Sequence, residues 1–176
     1  MTEPLEYQIL LALQARFQQM STDAGYFYGV DDSAVHLDPE NGVDVLMGPD
    51  ETGRKVRPFV VIEPVDGEEW NYEPANQLKF VLPVLVHWVH TAVPASDVVT
   101  GVPMPPSDAA RVRLYWRGCA DIEKALNRSN DPGLGGLATD VRIVDRKWIG
   151  GPEVGQDVWA QLTLHVHTRR EFGKAA

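Results

Sequence analysis

In the run VWAQLTLHVHTRREF at residues 158–172 every second residue from Val158 to Val166 is a small or aliphatic apolar one. Val158, Ala160, Leu162, Leu164 and Val166 fall on one side, while Trp159, Gln161, Thr163, His165, His167 and Arg169 fall on the other. Side chains on a strand alternate between faces, so this segment predicts a long strand with one face on a core. QLKFVLPVLVHWVHTA, at 77–92, repeats the pattern with Leu78, Phe80, Leu82, Val84, Val86 and Trp88 on one face. Pro83 interrupts it and has no N–H for a ladder, which predicts an edge or a bulge at that point.

A period of three to four enters twice. From Pro4 to Met20 the apolar residues Leu5, Ile9, Leu13, Phe17 and Met20 recur at helical spacing, widened by Leu10, with Thr2 as the expected cap. Tyr115, Cys119, Ile122 and Leu126 form a second stripe, capped by Ser107 or Asp108 and stopped by NDPGLGG after about Arg128. RPFVVIEP predicts another strand, followed by the turn VDGEEW. LATDVRIVDRKWIG and DVWAQLTLHVHTRRE, joined by GPEVGQ, predict a terminal hairpin. Residues 31–57 are rich in Asp, Gly and Pro and enclose at most a short strand at Val43 to Met47; residues 93–108 are rich in Pro. The expected architecture is one α+β domain over 1–176, with loop inserts at 31–57 and 93–108. Its sheet is mostly antiparallel and four-stranded or slightly larger, two helices pack on one face, and the order is α-β-β-α-β-β.

Composition then removes whole classes of function. A chain of 176 residues fits one domain, and its 44% apolar content supports a real core. No apolar run approaches the roughly 20 residues needed to cross a bilayer. The acidic N-terminus is unlike a secretory signal, so a soluble protein made in a cytoplasm is expected. Cys119 is the sole cysteine, which leaves no disulfide framework and no thiolate cluster within the chain. A net charge of −9 argues against gripping nucleic acid, which needs Lys and Arg to neutralise phosphates.

Four histidines raise metal chemistry. His165 and His167 share a strand face, a geometry used by zinc sites. His87 and His90, three apart, predict opposite faces, so only one could join the first pair. Nearby carboxylates that could serve as third ligands are missing from these strands, and Arg169 and Arg170 would repel a cation. No metal, cofactor or catalytic residue is expected. GLGG at 133–136 lacks the lysine of a phosphate loop, and Cys119 sits on a buried stripe where thiols are inert.

The segments ILLALQARFQ, RPFVVIEP, EWNYEP with QLKFVLPVLVHWVH, RGCADIEKAL and the final WAQLTLHVHTRREFG together resemble the tail terminator, or tail completion, proteins of long-tailed bacteriophages. The resemblance runs from about Leu5 to Phe172 and rests on element order and segment character. It implies a structural protein that forms a ring, commonly a hexamer. Such a ring caps the tail tube, stops its polymerisation and receives the head-completion or connector protein, while DNA passes through without specific binding. The place implied is the virion tail–head junction, after assembly in the host cytoplasm. On this view Trp148, Trp159, His165, His167 and Arg169 are candidate subunit or partner contacts, and Val99, Val102 and Met104 a candidate partner-binding loop. Two alternatives stand beside it: another neck or head-completion protein, and a metal-dependent enzyme using His165 and His167.

Overall fold

A computed structural model describes residues 3–37, 56–65, 69–73, 77–92, 95–96, 103–104, 107–127, 133–149 and 157–171. In chain order the elements are α1 (Leu5–Phe17), a short 3-10 turn (Asp32–Ala34), β1 (Val35–Leu37), β2 (Phe59–Pro64), β3 (Glu69–Glu73), β4 (Gln77–Thr91), β5 (Ala95–Ser96), β6 (Pro103–Met104), α2 (Asp108–Leu126), β7 (Asp140–Ile149) and β8 (Asp157–Glu171). The two long alternating runs are β4 and β8. They pair antiparallel from Gln77 opposite Glu171 to Thr91 opposite Asp157 and form the spine of the sheet.

Around that spine the strand path is β1-β2-β4-β8-β7, with β3 as a sixth strand beside the first part of β4. The fold is α+β, but the sheet is mixed: β1 runs parallel to β2, with Val35 opposite Val60. The expected sheet, mostly antiparallel and four-stranded or slightly larger, is met roughly: four of its five strand pairings are antiparallel. Among the described residues it has six strands, however, and the expected α-β-β-α-β-β order lacks β1 and β3. β1 has three residues, too few for alternation to show against the loop-like composition around it. β3 begins inside EEW, where acidic residues suggested a turn. The Val43 to Met47 strand lies outside the described residues, as does most of each expected insert.

Pro83 sits in the middle of a central strand without breaking it. The Pro83 carbonyl accepts from Val65 N–H at 3.1 Å, on the side where the neighbour of β4 changes from β3 to β2. The N–H and C=O of a strand residue point the same way, so the missing donor faces that changeover and the β8 ladder is intact.

α1 packs over β1 and β2, while α2 packs over β8, β7 and β4, and the two helices touch. Ile9, Leu13 and Phe17 of α1 and Ile122 and Ala125 of α2 are fully buried against Val84, Val86, Trp88, Leu162 and Leu164. Removing each of the larger aliphatic and phenyl side chains from water stabilises the fold by about 1.5–3 kcal/mol before entropy is counted. Gly118 lets α2 approach: a Cβ there would lie 2.5 Å from the Trp88 ring. Ser107 caps α2 by accepting from Ala110 N–H at 3.2 Å. α1 instead has Pro4 at its cap position, with no side-chain bond, and Thr2 lies outside the described residues. Two polar ties join the helical layer. Arg16 Nη1 donates to the Leu126 carbonyl at the end of α2 (3.0 Å), and Asp121 accepts the N–H groups of Phe27 and Tyr28 (both 2.9 Å).

Candidate functional site

The face of the sheet away from the helices carries most of the polar residues that the sequence singled out. Along β8 the alternation holds, with Val158, Ala160, Leu162, Leu164 and Val166 buried and Trp159, Gln161, Thr163, His165 and His167 half-buried. Arg169 is exposed. Cross-strand pairing sets Val89 beside Trp159, His87 beside Gln161, Pro83 beside His165 and Val81 beside His167.

This face is not uniformly open. Phe59, Val61 and Val89 are 2% exposed or less, and His87 is 4% exposed, so one end is a second apolar centre. His87 is held there by two partners. Trp159 Nε1 donates to His87 Nδ1 at 2.9 Å, and His87 Nε2 lies 3.2 Å from Glu63 Oε2. An indole N–H only donates, so Nδ1 must keep its lone pair and the proton belongs on Nε2, donated to the carboxylate. Burial pushes the His87 pKa below its ordinary value, against the pull of Glu63. A neutral, oriented imidazole results. These bonds tie β2, β4 and β8 together through Glu63, His87 and Trp159. Near the same end, Arg57 and Asp157 form a buried ion pair at 2.9 Å, and Thr91 also donates to Asp157.

His165 and His167 stand together as expected, with ring centroids 6.4 Å apart. His90 lies opposite Val158, on the core face, while His87 is on the other, which matches the spacing argument. A carboxylate does reach the pair's vicinity, contrary to expectation: Asp140 of β7 lies opposite His167. It is bonded to Arg142, which lies opposite His165. The sequence could not show this, because carboxylate and imidazole come from different strands. Among the described residues no group of three or more His, Cys, Asp or Glu side chains is placed to hold a metal.

Trp148 is separated from the other candidates. Its partner in β8 is Ala160, which places it on the helix side of the sheet. There it stacks on Tyr115 of α2, centroids 5.3 Å apart and planes 9° from parallel, while remaining 40% exposed. Trp116 packs edge-on against Tyr115 at 5.3 Å and is 60% exposed. Sequence reasoning missed Trp116, although its place one residue outside the buried stripe was the available signal. Cys119 is 2% exposed and burial pushes its thiol pKa up, as a structural cysteine requires. The same burial pushes the Tyr115 hydroxyl up to about 12. Val99 and Val102 lie outside the described residues, and Met104 ends the two-residue strand β6, paired with Ala95.

No helix among the described residues is long and apolar enough to cross a membrane. Neither a family model nor a curated protein matches the chain.

Proposed function

We propose that this chain is the ring-forming tail terminator of a long-tailed phage, a structural subunit that caps the tail tube and offers a joining surface to the head. The observation that carries this reading is the flank made by β7 and α2. β7 ends the strand path, so among the described strands it pairs with β8 alone and leaves ten residues of ladder edge unused. Beside that edge Trp148 and Trp116 are exposed at 40% and 60%. An open edge is a template for protein partners, and exposed tryptophans are favoured anchors once water is excluded. Repetition of one such contact from copy to copy generates a ring. The net charge of −9 suits a channel through which DNA must slide. An outermost strand beside two exposed tryptophans supports a surface that is covered by protein.

The test is to add the purified protein to polymerising tail tube protein and follow tube length by electron microscopy. Capped, shortened tubes carrying a ring at one end are expected. Tubes that lengthen unchanged and carry no added density would refute the reading.

A further inference from the structure

Two exposed helix stripes lie on opposite flanks of the sheet, and their chemistry is complementary. On α1, Tyr7 and Leu11 are 45% and 38% exposed, while Ile9, Leu13 and Phe17 are fully buried. Residues 7, 11, 14 and 18 share one stripe at helical spacing. Gln14 Nε2 donates to the Val35 carbonyl at 3.0 Å and Gln18 Nε2 to the Asp32 carbonyl at 3.2 Å, so this stripe faces the β1 edge. On α2, Val112 and Trp116 are 43% and 60% exposed. Glu123, two turns on from Trp116, reaches Arg146 of β7 at 2.9 Å, so the second stripe faces the β7 edge.

Charge divides the same way. Residues 3–37 hold five acidic residues, Glu3, Glu6, Asp23, Asp31 and Asp32, against one basic residue, Arg16, which is buried. α2 and β7 together hold five acidic and seven basic residues. The three basic residues of β7 are paired within the chain, Arg142 with Asp140, Lys147 with Asp145 and Arg146 with Glu123. Arg113 and Arg117, one turn apart and both exposed beside Trp116, have no salt bridge among the described residues; Arg117 lies over the Phe27 ring at 5.0 Å and its charge favours the Asp121 carboxylate.

We infer that the α2 stripe of one copy, Val112 and Trp116 flanked by Arg113 and Arg117, docks on the α1 stripe of the next copy, Tyr7 and Leu11 flanked by Glu3 and Glu6. The inference deepens the ring reading by naming its subunit contact. Because the stripes face opposite edges, the contact is heterologous, and repeating it adds copies in one rotational sense until the ring closes. A two-fold dimer through the tryptophans would place Arg113 and Arg117 against their own copies. The head-to-tail contact instead puts arginine against glutamate, and this selects the occupant. It also explains how a chain of net charge −9 can meet itself, since the meeting surfaces carry opposite signs.

The experiment is a charge exchange read by sedimentation. One variant carries Arg113→Glu and Arg117→Glu, and the second carries Glu3→Lys and Glu6→Lys. Each alone should self-associate roughly tenfold or more weakly than wild type at low salt, because like charges now meet. An equimolar mixture should recover rings, since each swapped stripe finds an opposite one on the other variant. Trp116→Ala should independently weaken association about tenfold or more, with the melting temperature of the monomer measured beside it as the control for folding. Wild-type rings with all three variants assembling normally would overturn the contact and leave the ring reading standing. Two-fold dimers in place of rings would overturn the head-to-tail arrangement. A wild-type chain that stays monomeric at every concentration and on tube ends would overturn the ring reading together with the contact.

Discussion

Replacing Asp121 should be among the most costly single changes in the helical layer. Its side chain is 1% exposed, and its two oxygens accept the backbone N–H groups of Phe27 and Tyr28, both at 2.9 Å. Those bonds pin the segment between α1 and the 3-10 turn onto α2. Asp121→Ala leaves two half-buried donors without acceptors, each costing about 1–3 kcal/mol. Part of that loss is offset, because holding a carboxylate here is itself unfavourable: burial pushes its pKa above 3.8 despite both bonds. The net expectation is a loss of about 2–4 kcal/mol. Asp121→Asn should recover little of it, since one oxygen can satisfy one donor while the amide NH2 confronts the other. Urea denaturation followed by circular dichroism measures both, with an unchanged slope showing that the folded state is intact. Losses within about 0.5 kcal/mol of wild type, the range of ordinary surface changes, would refute the claim that this carboxylate holds the segment.

Acid should destabilise the fold well before the carboxylates titrate. Burial pushes His36, His87 and His90 below their ordinary 6.5, so the unfolded chain takes up protons first; stability is full above 6.5 and is lost as pH falls through the folded values. Melting temperature across pH 5 to 8 checks this, and His87→Gln should flatten the profile. Gly118→Ala should cost about 1–3 kcal/mol by overpacking, because its Cβ would lie 2.5 Å from a fully buried Trp88 ring; a neutral effect in thermal melts would show that the contact is loose. Replacing both His165 and His167 with Gln, on the half-exposed part of the sheet, should change stability by less than about 0.5 kcal/mol and leave metal content by elemental analysis unaltered.

The long strands and the second helix were legible because their patterns are long. From Val158 to Val166 every second residue of β8 is apolar and buried, and the α2 stripe and Ser107 cap stand clear of their surroundings. β1 was illegible because three residues cannot display a period, and its parallel pairing with β2 depends on partners 25 positions away, as Val35 with Val60 shows. Pro83 predicts an edge or a bulge, and the edge is local: its missing N–H faces the gap where the neighbour of β4 changes from β3 to β2, and only the partners elsewhere in the chain show that the strand is otherwise central. The same limit governs the functional face. Alternation placed His165, His167 and Trp159 on one side of β8. It could not show that Trp159 would spend its N–H on His87, or that Trp148 would lie on the helix side against Tyr115. Such contacts are properties of register between strands, which no single segment contains.

The ring reading is tested most directly by mass, measured in solution and at tube ends. Analytical ultracentrifugation over a concentration series, paired with electron microscopy of tail tubes incubated with the protein, gives both numbers in one preparation. The account predicts a closed oligomer, a hexamer by the resemblance, that forms at high concentration or on the tube and blocks further tube growth. A monomer at every concentration and salt, beside tubes that keep growing with bare ends, would contradict it.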